Sequence, residues 1–139
     1  LGMRVLVIGA GAVGSAIARE LASEEGVVEV LVSDTSARAL SGLAQSTPSK
    51  KLSSFQLSAR DHDSMIPLLA KSDCVIVAMG NDRNPDLARL AVENNCHYVD
   101  LGASERDEEP LWELEDFARQ RERWIVPGCG LAPGLVNML

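Results

Sequence analysis

The sequence predicts a doubly wound α/β domain: a parallel sheet of six strands with helices on both faces, in three layers. Three observations point to it: apolar runs of strand length recur along the chain, helical patterns separate them, and no segment repeats. Strands alternating with helices form βαβ crossovers, which require parallel pairing and place helices against the sheet. A length of 139 residues suits one such domain, and 46% hydrophobic with 24% charged residues is an ordinary globular balance.

Arg4-Val5-Leu6-Val7-Ile8 is an apolar run rich in β-branched residues, the pattern of a strand covered on both faces. Ala12 to Glu25 reads as a helix, with Val13, Ile17 and Leu21 spaced four apart on one face and Gly26 as its stop. Val28 to Ser33 is the second strand, and Ser36 to Gln45 a short helix with Leu40 and Leu43 inward. After a polar loop containing Pro48, Leu52 to Leu57 alternates weakly as a third strand. Asp61 or Asp63 can cap the next helix, which is expected to bury Met65, Ile66, Leu68 and Leu69. Pro67 must lie in its first turn or distort it. Cys74 to Ala78 is the fourth strand. Asn84-Pro85 reads as a cap followed by proline at the first helical position, opening a helix with Leu87, Leu90 and Ala91 inward. His97 to Leu101 is the fifth strand. Pro110 to Arg123 follows as a helix with Leu111, Leu114, Phe117 and Ala118 on its face, and Trp124 to Pro127 is the sixth strand.

Composition narrows the function classes. Thirteen basic against twenty acidic side chains give a net charge of −7, a field that repels a phosphate backbone and argues against nucleic acid as a partner. Three scattered cysteines, Cys74, Cys96 and Cys129, have no CxxC spacing, so neither a disulfide framework nor a metal site is expected. A reducing cytoplasm is the expected location. The apolar stretch from Val5 to Ala18 is broken by glycines and falls short of the ~20 residues that span a bilayer, so no membrane association is expected. Met3, after Leu1-Gly2, reads as the native start.

Gly9-Ala10-Gly11-Ala12-Val13-Gly14 is a GxGxxG turn that directly follows a strand and opens a helix. Gly9 permits the tight turn, Gly11 lets backbone amides approach a diphosphate, and Gly14 lets the helix pack on the sheet. The unpaired amides at the helix start, Ala12 and Val13 among them, carry about half a positive charge and hold an anion without any lysine. An acidic chain can therefore bind a dinucleotide. Without such a ligand the same residues are simply a tight strand-to-helix turn.

Asp34 ends the second strand, about 20 residues beyond Gly14, where an acid accepts hydrogen bonds from the adenosine ribose. A carboxylate there selects NAD, with NADP disfavoured. Thr35, Ser36 and Arg38 could cradle a phosphate if Asp34 turned away; otherwise Arg38 is a solvated residue on a short helix. Asp61 and His62 follow the third strand, where an adenine edge lies, and Asp61 reads equally as an N-cap. Ala78, Met79, Gly80 and Asn81 follow the fourth strand beside the switch point, on the nicotinamide side. Leu101 and Gly102 stand at the carboxyl end of the fifth. Asp100, beside them, is either a polar group near the nicotinamide or a cap for the next segment. His97 begins its strand, away from the carboxyl ends where ligands gather, so a structural role is expected. Cys129 lacks a nearby base or cation that would activate it, and the acidic run Glu105 to Glu109 reads as a solvated helix start. No catalytic residue is identified.

The glycine turn, Ser33-Asp34, His97-Tyr98-Val99-Asp100-Leu101 and above all Pro127-Gly128-Cys129-Gly130-Leu131-Ala132-Pro133-Gly134-Leu135-Val136-Asn137 together resemble the saccharopine dehydrogenase/lysine 6-dehydrogenase family. The resemblance implies an N-terminal NAD(P)-binding Rossmann domain over residues 3–132. It also implies that 133–139 begin a second domain, which binds an amino-acid substrate and forms a homodimer. The implied reaction is hydride transfer at a carbon–nitrogen bond of lysine or a lysine-derived amino acid. Such a reaction needs a proton acceptor and a carboxylate anchor. The only lysines are Lys50, Lys51 and Lys71, none at a strand's carboxyl end, and Arg83 is the one basic residue in the loop after the fourth strand, so the chain alone is expected to be inactive. The alternative is a non-catalytic nucleotide sensor of the kind that gates potassium transport, which has no use for the Gly128 to Gly134 loop. A short-chain reductase is disfavoured because Tyr98 has no lysine four residues on.

Overall fold

The computed structural model describes residues 2–79, 84–102, 110–130 and 138. Its elements run β1 (Met3–Ile8), α1 (Ala12–Ser23), β2 (Val27–Asp34), α2 (Ala37–Ser46), β3 (Leu52–Gln56), α3 (His62–Lys71), β4 (Cys74–Val77), α4 (Asn84–Glu93), β5 (His97–Asp100), α5 (Glu115–Gln120) and β6 (Ile125–Val126). All strand pairs are parallel and the sheet order is β3-β2-β1-β4-β5-β6. The chain winds outward from β1 to β3, crosses back, and winds the other way through β4 to β6. The fold is therefore the doubly wound Rossmann type that the alternation predicts.

Strand alternation sorts the apolar side chains into two cores, one on each face. Val5, Val7, Val30 and Val32 pack with Ala18 and Ala22 of α1 and Leu40 and Leu43 of α2. Leu6, Ile8, Leu31, Val75 and Val77 pack on the opposite face with Met65 and Leu69 of α3 and Leu87 and Ala91 of α4. Leu111 and Leu114, ahead of α5, join that second core.

Several sequence expectations shift. Helix α1 buries Gly14, Ala18 and Ala22, a stripe of small residues, while Ile17 and Leu21 are half-buried and Val13 is 54% exposed. The small stripe lets α1 sit close on the sheet, and Val13 lies in the helix's first turn, outside that stripe. The helix ends at Ser23 because Glu24 turns to extended backbone, and Gly26 lies in the turn that follows. In α3, Met65, Leu68 and Leu69 face the sheet and Ile66, a hundred degrees round, is exposed. Pro67 sits past the first turn, and α3 continues through it. The helix expected over Pro110 to Arg123 is broken by a turn at 113–114. Phe117 is half-buried and carries the guanidinium groups of Arg89 (5.4 Å) and Arg121 (4.9 Å) over its ring, a cation–π arrangement outside the two core clusters.

Candidate functional site

Strand register brings the candidate residues to one edge. Ile8 pairs with Ser33 on one side and Val77 on the other, and Val77 pairs with Asp100. The chain therefore leaves the sheet level at Gly9, Asp34, Ala78 and Leu101. The carboxyl ends of four neighbouring strands form a crevice across the switch point between β1 and β4, where ligands of open α/β sheets bind.

At its centre Gly9 adopts φ +105, a conformation L side chains rarely take, and a Cβ there would lie 2.9 Å from the Ala78 carbonyl oxygen. The Gly9 N–H donates to the Ser33 carbonyl at 2.8 Å, and the Ala78 N–H to that of Ile8 at 2.8 Å, so the turn is locked to both neighbours. Gly14 packs its Cα against the Gly9 carbonyl, leaving no room for a side chain, with the Ala78 methyl 3.2 Å from where a Cβ would stand. Gly11 is the opposite case, because a Cβ there would meet only open space. It is the N-cap of α1 and has no side-chain cap, whereas α2 is capped by Ser36 and α3 by Asp61. Gly11, Ala12 and Val13 are exposed at this mouth, and the first amides of a helix have no intrahelical acceptor.

Asp34 is bound tightly to the turn. Its Oδ2 accepts the Ala10 N–H and its Oδ1 the Ser36 N–H, each at 2.7 Å. A carboxylate with one backbone bond on each oxygen keeps lone pairs for further donors, such as a pair of hydroxyls. Asp34 and Thr35 line a cleft of about 320 Å³ with Gly9, Met79 and the segment after β3. That segment is Leu57, Ser58, Ala59 and Arg60, none of them singled out by sequence reasoning, which passes to the chemically conspicuous Asp61 and His62. The position just after β3 is the signal that could have found them. Asp61 instead caps α3, accepting the Ser64 N–H at 3.2 Å and its hydroxyl at 2.7 Å. The Ser64 hydroxyl and then its backbone N–H hold the Asp61 carboxyl below its usual pKa. His62 is the first residue of α3 and, like Asp61, is not part of the cleft wall. Arg38 lies on the other side of the glycine turn, in a groove shared with Gly11, Ala12 and Ser36.

Across the switch point, Ala78 packs under the glycine turn and Met79 divides its surface between core and cleft. Gly80 and Asn81 lie outside the described residues, as do Arg83, Glu105 to Glu109 and Leu131 to Asn137. Leu101 and Gly102 form a turn against the loop after β6, and Asp100, buried, bonds both segments, so it ties loops together rather than capping one of them. Asn84 opens α4 but does not cap it: its Nδ2 points to Asp100 and its Oδ1 has no partner.

Burial, then the Asp100 charge, raises the Cys129 thiol's pKa, which argues against a nucleophile. His97 lies at the opposite edge, where its Nδ1 accepts the Trp124 N–H at 3.0 Å. Lys71 pairs with Glu29 at 2.6 Å and Lys51 donates to the Glu24 carbonyl at 2.7 Å, both away from the crevice. Among the described residues no group of three or more His, Cys, Asp or Glu is placed to hold a metal, and no helix is long and apolar enough to cross a membrane. A larger apolar cleft, about 480 Å³, lies against α5 and β6 between Trp112 and Trp124, but the residues of the glycine turn are not in its wall.

Comparison with known proteins agrees with this fold. The family model described as the saccharopine dehydrogenase NADP binding domain matches residues 5–128. The apo saccharopine dehydrogenase (L-Glu forming) of Saccharomyces cerevisiae superposes with a TM-score of 0.81 at 24% identity, covering 97% of this chain and 29% of that one. The myo-inositol 2-dehydrogenase of Lactobacillus plantarum gives 0.70 at 16% identity, over 92% of this chain and 36% of that one. The UDP-N-acetylglucosamine 3-dehydrogenase of Acidithiobacillus ferrooxidans gives 0.64 at 22%, over 92% and 38%. At such identities the structural likeness speaks for the fold, and the chain spans only about a third of the length of these enzymes. The family match is the more specific finding. It begins within β1 and runs past β6, so the glycine turn, Asp34 and Asp100 all fall inside it, and the chain belongs to the family of saccharopine dehydrogenase NADP-binding domains.

Proposed function

We propose that this chain is the cofactor domain of a dehydrogenase that moves a hydride between NAD(H), in preference to NADP(H), and the carbon–nitrogen bond of lysine or a lysine-derived amino acid. Family membership makes it a nucleotide-binding domain of oxidoreductase type. The residues present fit a dinucleotide. The open space above Gly11 and the uncapped mouth of α1 suit a diphosphate, received by the amides from Gly11 to Gly14. Asp34 and Thr35 take the adenosine ribose, and Leu57, Ala59 and Arg60 take the adenine. Ala78, Met79, Leu101 and Gly102, with Gly80 and Asn81, take the nicotinamide half. When bound, the dinucleotide supplies the hydride acceptor or donor; the chain binds, orients and shields it.

The preference for NAD rests on the pinned Asp34 carboxylate. Ribose hydroxyls can donate to its remaining lone pairs. A 2′-phosphate in their place meets a like charge, which at ~4 Å costs on the order of 4 kcal/mol for an effective dielectric near 20. Asp34 cannot swing aside without breaking its bonds to Ala10 and Ser36. The Ser36 N–H is committed to Asp34, and its hydroxyl caps α2 by accepting the Ala39 N–H at 3.1 Å.

The carbon–nitrogen chemistry is supported by the family and by the Gly128 to Gly134 segment that resembles it. Substrate binding, the catalytic groups and homodimer formation are assigned to the longer protein, of which residues 133–139 begin the second domain. A reducing cytoplasm is the proposed compartment: Cys74, Cys96 and Cys129 are free thiols, with Cys74 pushed up to about 11 by burial. Fluorescence titration of NADH and NADPH into the chain and its Asp34→Ser variant tests the reading. NADH is expected to bind at least about tenfold more tightly, with that gap closing in the variant. NADPH binding as tight as NADH contradicts the preference.

A further inference from the structure

Asp100 ends β5 with its side chain turned inward and 1% exposed. Its Oδ1 accepts the N–H of Gly102 at 2.8 Å and that of Gly128 at 2.9 Å. Its Oδ2 accepts the Tyr98 hydroxyl at 2.8 Å and the Asn84 amide at 3.3 Å, and its backbone carbonyl accepts the Cys129 N–H at 2.8 Å. A buried carboxylate is costly unless hydrogen bonds satisfy its charged form, and here both oxygens are satisfied. One side chain thereby draws together α4, the turn after β5 and the loop after β6.

The backbones it joins are built for close contact. Gly102 and Gly128 have φ +81 and +72, and a Cβ on Gly102 would lie 3.3 Å from the Gly128 Cα. Gly130 packs directly on the Leu101 carbonyl, leaving no room for a side chain. This second glycine contact stands at the carboxyl edge, on the β4–β5 side of the switch point, opposite the half that holds Asp34. A dinucleotide with its diphosphate at α1 and its adenosine over β2 extends its other half toward this side.

We propose that Asp100 is a positioning residue for the nicotinamide half of the cofactor. It holds the Leu101–Gly102 turn and the loop from Gly128 to Gly130 in one arrangement, and these two backbones form the floor beneath the nicotinamide and its ribose. Asp100 acts through the loops and does not touch the cofactor. The proposal rests on the dinucleotide reading above, and the test separates the two.

NADH, which needs both halves of the crevice, and ADP, which needs only the diphosphate and adenosine half, are titrated against wild type, Asp100→Asn and Gly128→Ala. Asp100→Asn can keep an amide oxygen on the two backbone N–H groups only by turning an NH2 donor toward the Tyr98 hydroxyl and the Asn84 amide, which donate to Oδ2 in the wild type. Gly128→Ala strains the loop while leaving the carboxylate in place, so one variant covers the other if either fails to fold. Each variant is expected to weaken NADH by at least about tenfold and to lose the fluorescence gain of a shielded nicotinamide, while ADP stays within about twofold of wild type. Equal weakening of both ligands, or unchanged NADH binding, overturns the proposal. A wild type that binds ADP but not NADH also overturns it while sparing the adenosine half; one that binds neither refutes the cofactor reading beneath it.

Discussion

His97 sits at the amino end of β5, where its Nδ1 can accept the Trp124 N–H only while unprotonated. Burial, then the neighbouring Arg123 charge, lowers its pKa from the ordinary 6.5, with Asp73 opposing. As pH falls the unfolded chain binds the proton first, so this contribution to stability is complete above about 6.5 and is lost as pH drops through the lowered folded pKa. Urea unfolding between pH 7.5 and pH 5 is expected to show a falling midpoint. His97→Asn, whose amide oxygen still accepts the Trp124 N–H, should flatten the upper part of that fall. Identical profiles for the two proteins contradict this role. The residue scale is also where sequence reasoning is weakest. Asp34 and Asp100 both end a strand at the same edge, yet one has lone pairs facing a cleft and the other is surrounded by loop amides. That difference depends on Gly128, which is 28 residues from Asp100 in the chain.

Helix α1 shows how an element's packing is decided by its smallest residues. Spacing suggests Val13, Ile17 and Leu21 as the buried stripe, but Gly14, Ala18 and Ala22 make the close approach. The reason is the Gly9 turn, whose carbonyl occupies the place a side chain at Gly14 would need. Helix propensity alone says that Gly14→Ala stabilises by ~1 kcal/mol. Steric conflict with fixed backbone says the reverse, at about 1–3 kcal/mol. The conflict dominates, because Gly9 is bonded to Ser33 and cannot yield. Thermal unfolding of Gly14→Ala is expected to fall by roughly 5 °C, and a raised Tm contradicts this packing. Elements are legible wherever period and turn chemistry agree, as in β1, β4 and α2 with its Ser36 cap. They are less so where a tertiary partner intervenes: Phe117 is taken by two arginines, and the helix expected after Pro110 is interrupted at 113–114.

At the scale of the whole molecule, sheet order converts a linear pattern into a site. The reversal of winding at β1 and β4 opens one crevice, and the strand register delivers the ends of β1, β2, β4 and β5 to it together. The glycine turn and Asp34 are readable in the sequence because their spacing follows from a single βαβ unit. Arg60 and the Asp100 knot are harder to read because they depend on which loops converge in space. A net charge of −7 makes the local α1 dipole, rather than any general field, the source of anion affinity. The apolar cleft beside Trp112 and Trp124 is the competing location for a ligand. Amide NMR shifts on adding NAD to the labelled chain decide between them most directly. The largest changes are expected at Gly9 to Ser15 and Asp34 to Ser36, with the amides of Trp112 and Trp124 unmoved. Shifts centred on the tryptophans, or none at the glycine turn, contradict the dinucleotide reading.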